Sequence, residues 1–230
     1  MSIYITGDTH GDIDIGKLTT KNFGDIKKTL TRNDYIIICG DVAVCWDGGK
    51  FDRYIQNWWC TQPYTLLFVD GNHENHDLLD AYPVTEWNGG KIHEITPNVF
   101  HLMRGQYYTI EGSTFFTFGG AESTDKWHRK EGRSWWAREM PSDEEYNEGF
   151  KNLEMHNNTV DYIITHDAPN KIVEQEFEWR FDIHNKIRNY FDIINETVSF
   201  KEWHFGHYHQ SIKMENGKYQ CHYYEVKKLV

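Results

Sequence analysis

Five apolar segments of this 230-residue chain each end abruptly in aspartate, asparagine or histidine, and this pattern constrains the fold more than any other feature. The segments end in the motifs GDTH, CGDV, DGNHE, THDAP and FGHYH, whose polar residues are Asp8, His10, Asp41, Asn72, His73, His166, His207 and His209. Such apolar runs predict buried strands. Because ligands bind at the carboxyl ends of strands in open α/β sheets, the motifs predict one polar site at one sheet edge.

The first 80 residues alternate between two kinds of segment. Continuous apolar runs predict strands at 2–7, 35–40 and 65–71, and helical patterns occupy 14–31, 50–59 and 74–82. Apolar strands that alternate with helices are typical of βαβ units, so this half of the chain predicts a parallel sheet.

The second half of the chain follows a different pattern. Four short segments separated by turn residues predict an antiparallel meander, with strands at 91–95, 98–103, 106–110 and 114–119. The segments that follow are a long loop at 121–139, a helix at 141–156 with Ser142 and Glu145 at capping-box spacing, a strand at 160–166, a helix at 184–196, and strands at 201–209 and 219–226. No linker interrupts the chain, so we expect a single α/β domain over residues 1–230 with two sheets.

Charge and cysteine content restrict the partners and the compartment. The formal net charge is −11, whereas nucleic-acid-binding surfaces usually show a basic excess. We therefore expect no stable nucleic-acid binding, although a small phosphorylated substrate remains compatible. The four cysteines form no CxxC pair, and no apolar run approaches the roughly 20 residues of a membrane helix. These features predict a cytoplasmic protein without a membrane partner, and they do not indicate an oligomeric state.

The residue types at the expected sheet edge are those that bind divalent metal ions. Seven side chains are candidate ligands: Asp8, His10, Asp41, Asn72, His166, His207 and His209. Seven suit two ions, which at roughly 3.5–4 Å apart can clamp a phosphate and activate a water. We expect manganese, with iron, zinc, cobalt and nickel as alternatives, and the central Asp41 as the bridging carboxylate. A glycine precedes four of the seven, which allows the unusual backbone angles of ligand-bearing turns.

The motif order GDxH, GD, GNHE, H and GHxH resembles the calcineurin-like metallophosphoesterase superfamily over residues 7–209. The resemblance implies a four-layer αββα sandwich, with two mixed β-sheets flanked by helices, and a dinuclear metal site. It implies one ion held by Asp8, His10 and His209, a second held by Asn72, His166 and His207, and Asp41 as the bridge. It further implies that His73 is the general acid that protonates the leaving group after attack by a metal-bridging hydroxide, a role worth about 10²–10⁴-fold.

The sequence departs from the protein phosphatases of this superfamily at the positions that grip phosphate. Those enzymes have Asp-Arg shortly after the central GD and Arg just before GNH, whereas this chain has Val44-Cys45 and Asp70. Both arginines are missing, and so is the carboxylate that steadies the catalytic histidine. We expect Asp70 or Asp47 to orient His73 instead, and Glu74 to stabilise a helix N-terminus.

Other side chains must then contact the substrate. The loop 121–139 is basic in an otherwise acidic chain, so we predict that Arg129 or Arg133 binds the substrate phosphate, with Arg104 as a further candidate. Three loop tryptophans are candidates for stacking on a base, although anchoring of their loops is the more common role: Trp46, Trp127 and Trp135.

Three functions are compatible with these features. The preferred one is a dinuclear metal-dependent phosphoesterase that hydrolyses a small phosphodiester or phosphomonoester, such as a nucleotide. A serine/threonine phosphoprotein phosphatase is the alternative; GNHE rather than GNHD favours it, but the missing arginines oppose it because a phosphate dianion favours bidentate arginine. The third is a non-catalytic metal-binding scaffold, which the complete ligand set and the presence of His73 oppose.

Overall fold

The apolar runs form short strands, and the polar residues that end each run lie just beyond them. The computed structural model describes residues 1–177 and 185–230. In chain order its strands are β1 (Ile3–Thr6), β2 (Tyr35–Ile38), β3 (Thr65–Phe68), β4 (Val84–Trp87), β5 (Gly90–Thr96), β6 (Val99–Leu102), β7 (Gln106–Ile110), β8 (Ser113–Phe118), β9 (Thr159–Thr165), β10 (Ser199–Phe205), β11 (Ile212–Met214), β12 (Tyr219–Cys221) and β13 (Lys227–Lys228). Its α-helices are α1 (Thr20–Thr29), α2 (Lys50–Cys60), α3 (His76–Leu79), α4 (Asp143–Met155), α5 (Asn170–Phe177) and α6 (Lys186–Thr197).

The described residues form two mixed sheets. The first has seven strands in the order β13-β1-β2-β3-β6-β5-β4, and the second has six in the order β11-β12-β10-β9-β8-β7. Parallel pairs occupy the centre of each sheet, from β1 to β6 in the first and from β12 to β8 in the second. Antiparallel strands form the edges.

Side-chain alternation along the central strands explains why their sequences are continuously apolar. Ile37 in β2 and Leu67 in β3 face the second sheet, where they pack with Phe115 of β8. Their neighbours Ile36 and Leu66 face the opposite way and join the core formed with α1, α2 and α3. A strand that is buried on both faces requires apolar side chains at every position.

Helices cover both outer faces of the sheet pair. Ile55 and Trp59 of α2 pack on the first sheet, and Tyr146 of α4 and Phe191 of α6 pack on the second. The layers are therefore helix, sheet, sheet and helix, and the predicted four-layer αββα sandwich is confirmed. The predicted capping box is also present at the start of α4, where the side chains and backbones of Ser142 and Glu145 bond reciprocally.

The predicted four-stranded meander over residues 91–119 is wrong. Strands β5 and β6 belong to the first sheet, whereas β7 and β8 form a hairpin in the second. The chain crosses between the sheets at Gly105, where a Cβ atom would lie 2.8 Å from the backbone nitrogen of Gly149 in α4. Short antiparallel strands with turns look alike in sequence whether they pair in one sheet or in two.

Smaller differences concern element ends. The predicted helix at 14–31 is a 3-10 turn at Ile15–Leu18 followed by α1, and the predicted strand at 219–226 ends at Cys221 before β13 crosses to the first sheet. Strands β4 and β11 and helix α5 escaped prediction. The first residue of the predicted helix at 184–196 lies outside the described residues. Across residues 1–177 and 185–230, no helix combines the length and the apolar character needed to cross a bilayer.

Candidate metal centre

The motif residues meet at one end of the sandwich because of the direction of the parallel strands. They follow five strands: Asp8 and His10 after β1, Asp41 after β2, Asn72 and His73 after β3, His166 after β9, and His207 and His209 after β10. Contacts between residues of the two sheets show the convergence. Oδ2 of Asp8 lies 3.2 Å from Nε2 of His209, and Oδ2 of Asp41 lies 3.4 Å from Nε2 of His166.

Asp41 lies between two imidazoles. Its Oδ2 atom is 3.4 Å from Nε2 of His10 and 3.4 Å from Nε2 of His166. Its Oδ1 atom accepts a hydrogen bond of 2.7 Å from the backbone N–H of His73. The side chain is buried, so a single carboxylate faces donor groups on both sides. Asp41 is therefore a candidate ligand at the middle of the cluster.

The donor groups around Asp41 fall into two sets. On one side, a carboxylate oxygen of Asp8 and imidazole nitrogens of His10 and His209 all lie within 4.8 Å of one another. On the other side, Oδ1 of Asn72 lies 3.1 Å from Nε2 of His166. The division of ligands between two ions, which the resemblance implied, stays a prediction.

The remaining residue of the second set is His207. Its ring centroid lies 5.0 Å from that of His166, and its backbone N–H donates to the Asp8 carboxylate at 3.2 Å. Burial lowers the pKa of His207 to about 4, which the nearby Asp167 carboxylate only partly opposes. The imidazole is therefore neutral at physiological pH, the form in which histidine binds metal.

Hydrogen bonds on the far nitrogens orient two of the imidazoles. Nδ1 of His166 donates to the carbonyl oxygen of Cys39 at 2.7 Å, and Nδ1 of His10 lies 2.7 Å from Oδ2 of Asp14. In both rings Nε2 consequently faces Asp41. Partners of this kind are typical of metal-binding histidines, because they set the tautomer and the ring direction.

Backbone strain and tight packing concentrate at the same positions. His10, Asp41, His207 and His209 all have positive φ values, of 43°, 53°, 68° and 52°. Non-glycine residues in this region are uncommon and cluster at functional sites. A Cβ atom on Gly71 would lie 2.0 Å from Oδ1 of Asp41, so the missing side chain is what this glycine provides. Of the four glycines that precede candidate ligands, only Gly40 has a positive φ, of 91°.

The charges of the centre fit divalent cations. Burial opposes ionisation of Asp41, but His166 and His73 outweigh it and hold the pKa of this carboxyl well below its usual range. Burial also opposes protonation of His10 and His166, but Asp41 and Asp8 outweigh it and raise the pKa to about 9 for His10 and to about 10 for His166. Buried carboxylates need a paired cation or a metal, and without metal the centre takes protons on its imidazoles.

Metal uptake is therefore expected to release protons. His10 and His166 have raised pKa values, so both are protonated at pH 7.5 in the metal-free protein and must lose a proton to bind metal. The apparent affinity for Mn²⁺ should rise from pH 7 towards pH 9, by about tenfold per pH unit for each displaced proton. Calorimetric titrations in buffers of different protonation enthalpy measure the number released. A value of zero at pH 7.5 would contradict the expectation.

His73 lies beside the centre with an arginine as its neighbour. Nη1 of Arg129 is 3.1 Å from Nδ1 of His73, Nη2 is 3.3 Å from Nε2, and Nη2 also pairs with Asp125 at 2.8 Å. Burial lowers the pKa of His73, and Arg129 acts in the same direction against the attraction of Asp41. One imidazole nitrogen of His73, one of His10 and a carboxylate oxygen of Asp41 lie within 4.8 Å of one another, so His73 directly borders two of the candidate ligands.

The carboxylates expected to orient His73 lie elsewhere. Oδ2 of Asp70 accepts from Nε of Arg104 at 2.9 Å, and Oδ1 lies 3.1 Å from Nε2 of His101. Asp47 caps the turn before α2 through the backbone N–H groups of residues 49 and 52. Among the described residues neither carboxylate hydrogen-bonds to His73, so the structure does not bring them together.

Two further expectations need correction. Arg104 is buried and bonded to Asp70, Glu145 and two backbone carbonyls, so its guanidinium is not available to a substrate phosphate. Glu74 accepts hydrogen bonds from the backbone N–H groups of Val42 and Ala43 rather than stabilising a helix N-terminus. It thereby braces the turn that carries Asp41. Arg133 is exposed, whereas Arg129 reaches His73.

The loop after β8 supplies positioning groups that sequence reasoning missed. Oγ of Ser123 accepts from Nδ2 of Asn72 at 3.1 Å and donates to Oε2 of Glu139 at 2.6 Å. Glu139 also accepts from the backbone N–H of Ser123 at 2.8 Å. These bonds hold the amide nitrogen of Asn72 away from His166, so its oxygen faces the centre. No local sequence signal separates this serine from any other loop serine.

We expect Ser123→Ala to weaken metal binding at the Asn72 side by about 10- to 100-fold, the usual effect of losing such a partner. The reason is that the Asn72 amide would no longer be held with its oxygen towards His166. Calorimetric titration with Mn²⁺ measures the affinity of each site. Thr124→Ala, at the exposed neighbouring position, is the matched control. Equal affinities for both variants would exclude this role for Ser123.

One solved structure supports this architecture. A Staphylococcus aureus protein assigned as a 5′-nucleotidase, crystallised with α-ketoglutarate, superposes with a TM-score of 0.53 at 15% identity, over 96% of this chain and 48% of that one. The chain thus spans about half the length of that protein. Phosphopantetheinyl hydrolase from Mycobacterium tuberculosis superposes with a TM-score of 0.48 at 13% identity, over 100% of this chain and 95% of that one. Among curated proteins, none matches the sequence significantly.

Two facing mixed sheets carry aspartate, asparagine and histidine side chains just beyond their strand ends. The chain belongs to the calcineurin-like phosphoesterase family, whose sequence model matches residues 1–211. The match includes all eight motif residues, from Asp8 to His209.

Proposed function

We propose that this chain binds two divalent metal ions and hydrolyses a small phosphodiester or phosphomonoester, of which a nucleotide is one example. The observation that carries the proposal is the buried Asp41 carboxylate, 3.4 Å from an imidazole on either side. One ion would be held by Asp8, His10 and His209, the other by Asn72, His166 and His207, with Asp41 between them. When bound, the ions, expected to be manganese, supply a water of lowered pKa and neutralise phosphate oxygens.

In this proposal His73 donates a proton to the departing oxygen, so it must first take up that proton against the burial and the Arg129 charge that lower its pKa. Its position follows from its backbone, whose N–H group donates to Asp41, and from its ring, which lies 5.4 Å from that of His10. Asp70 acts indirectly, since its backbone oxygen accepts from Gly120 and its carboxylate binds Arg104. These bonds hold the turn that carries His73 against the second sheet.

The substrate is expected to be a small molecule rather than a phosphoprotein. Val44 and Cys45, where protein phosphatases of the superfamily carry Asp-Arg, are buried in the apolar core beneath the first sheet. Asp70, where they carry arginine, is bound to Arg104. The gripping cation would instead be Arg129, held beside His73 by Asp125. We also propose a cytoplasmic location, which the four free cysteines support.

Arg129→Ala is expected to raise KM for a phosphate ester by about 10- to 100-fold, the range for losing a charge-assisted hydrogen bond. Arg129→Lys should recover part of the loss, because it restores the charge without the planar fork. Steady-state kinetics on an aryl phosphate measure both. The same assay on Arg133→Ala decides between the two arginines, since a KM increase there alone would assign phosphate binding to Arg133.

The function is tested with metal-stripped protein reconstituted with Mn, Ni, Co, Fe, Zn or Mg in turn. The substrates are an aryl phosphodiester, an aryl phosphomonoester, a cyclic nucleotide and a phosphoserine peptide. Hydrolysis of a small ester that depends on added metal and is lost in His73→Ala and Asp41→Ala supports the proposal. Preference for the peptide would favour a protein phosphatase, and metal binding without turnover of any ester would favour a non-catalytic scaffold.

A further inference from the structure

A cleft of about 610 Å³ opens directly beside the metal centre. It is lined by three histidines of the centre and four apolar residues: His10, His73 and His209, and Ile13, Ala43, Trp46 and Phe51. A phosphate group held at the centre would leave the organic part of its ester in this cleft. The chemistry of the cleft wall therefore indicates the chemistry of the substrate.

Trp46 forms a rigid part of this wall. Its backbone N–H donates to Oδ1 of Asp52 at 2.7 Å, and its carbonyl oxygen accepts from Nδ2 of Asn75 at 2.9 Å. Its ring packs edge-on against that of Trp136, with centroids 5.7 Å apart. Because Asn75 lies two residues after His73, the indole is tied to the turn that carries the proposed general acid. An aromatic surface held in this way needs little ordering to bind a ligand.

Phe51 and Ile13 extend the apolar surface. The Phe51 ring lies across the backbone just after His10, since a Cβ atom on Gly11 would be only 2.6 Å from its Cζ atom. Gly11 has a φ of 64°, so both its conformation and its missing side chain allow this contact. Ile13 is 78% exposed, which leaves a large apolar side chain facing the open cleft.

Charge narrows the class of ligand further. The other charged residues that line the cleft, among those the structure describes, are Asp12 and Asp14, and no lysine or arginine lines it. Asp14 is engaged by His10, whereas Asp12 is exposed. With no lysine or arginine in its lining, the cleft offers no basic side chain besides the histidines of the centre to a second phosphate or a nucleic-acid chain. Aromatic side chains instead favour a flat ring, which gains stacking and buried area.

We infer that the substrate is a phosphate ester whose alcohol carries a planar aromatic ring, and that this ring enters the cleft against Trp46 and Phe51. This inference rests on the proposed function, because the phosphate is taken to bind at the metal centre. Nucleosides are the ring-bearing alcohols of suitable size that serve as a probe. AMP and ribose 5-phosphate share the same phosphate ester and sugar and differ by the base alone, so they form a matched pair.

The test is calorimetric binding of AMP and of ribose 5-phosphate to Mn²⁺-loaded His73→Gln protein, in which turnover is suppressed. We expect AMP to bind about 10- to 100-fold more tightly, the range that base–aromatic stacking supplies. The ratio should fall towards one in Trp46→Leu and in Phe51→Leu, and most of it should return in Trp46→Phe and Phe51→Tyr. The matched control is Trp127→Leu, because Trp127 is 83% exposed and lines a different cavity.

Equal affinities of AMP and ribose 5-phosphate for the His73→Gln protein would by themselves overturn the inference. A preference for AMP that survives both leucine substitutions, or that is lost in Trp127→Leu alone, would overturn it as well. Failure of the proposed function gives a different result: no ester is hydrolysed by the wild-type protein with any metal. Binding is measured separately from turnover, so the two failures are distinguishable.

Discussion

Asp41→Asn is expected to abolish activity, with kcat/KM reduced by about 10³-fold or more, because bound metal contributes several kcal/mol to the transition state. Asparagine keeps the shape of the side chain but removes the charge between His10 and His166. Without that charge the pKa of both imidazoles falls, and the proposed shared ligand for two cations is lost. Metal content after dialysis and hydrolysis of an aryl phosphate are the two measurements.

The matched control for this substitution is Asp25→Asn. Asp25 is exposed and pairs with Lys28 on α1, so the same chemical change there should alter neither metal content nor activity. Circular dichroism establishes that both variants are folded. An Asp41→Asn protein that retains two ions and at least a tenth of its activity would remove Asp41 from the role of shared ligand.

His73→Gln is expected to lower kcat by about 10²- to 10⁴-fold while metal content stays unchanged. The hydrogen bond from residue 73 to Asp41 comes from the backbone N–H, which any side chain retains. The loss should be larger for an alkyl ester than for a p-nitrophenyl ester, because a poor leaving group depends more on the proton. Steady-state kinetics on the two esters measure the difference.

The control for His73 is His128→Gln, since His128 is exposed on the loop that also carries Arg129. This variant should retain full activity on both esters. If His73→Gln lowered kcat equally for both leaving groups, His73 would stabilise the transferring phosphoryl group rather than donate a proton. Loss of metal from His73→Gln would instead make His73 a ligand, which its distance from Asp41 and His10 permits.

The candidate ligands could be predicted from sequence because each directly follows an apolar run. Strand direction then brings such residues together, so Asp8, Asp41 and Asn72 required no knowledge of distant contacts. Helix α4, which Ser142 caps, could also be predicted locally, since its capping box joins residues three apart. These features depend on residues that are close in sequence, so periodicity and motif spacing are sufficient to predict them.

Partners that are distant in sequence escaped prediction. Asp70 was expected beside His73, but it pairs with Arg104, which is 34 residues away. Glu74 was expected at a helix end, but it binds the backbone beside Asp41, which is about 30 residues away. In each case several groups of the folded chain could bind the carboxylate. Only packing selects among them.

The sequence by itself determined an α/β chain with two sheets, the eight motif residues and the sheet edge at which they collect, because apolar runs and their polar ends are local properties of the chain. The four-layer αββα order was implied by the family resemblance of those motifs. Tertiary structure alone decided that β5–β6 and β7–β8 part into different sheets, that Ser123 and Glu139 orient Asn72, and that Arg129 rather than Asp70 lies beside His73. The physical reason is that these three arrangements depend on which surfaces pack against each other. Packing buries polar groups, and each buried polar group then needs a hydrogen-bond partner.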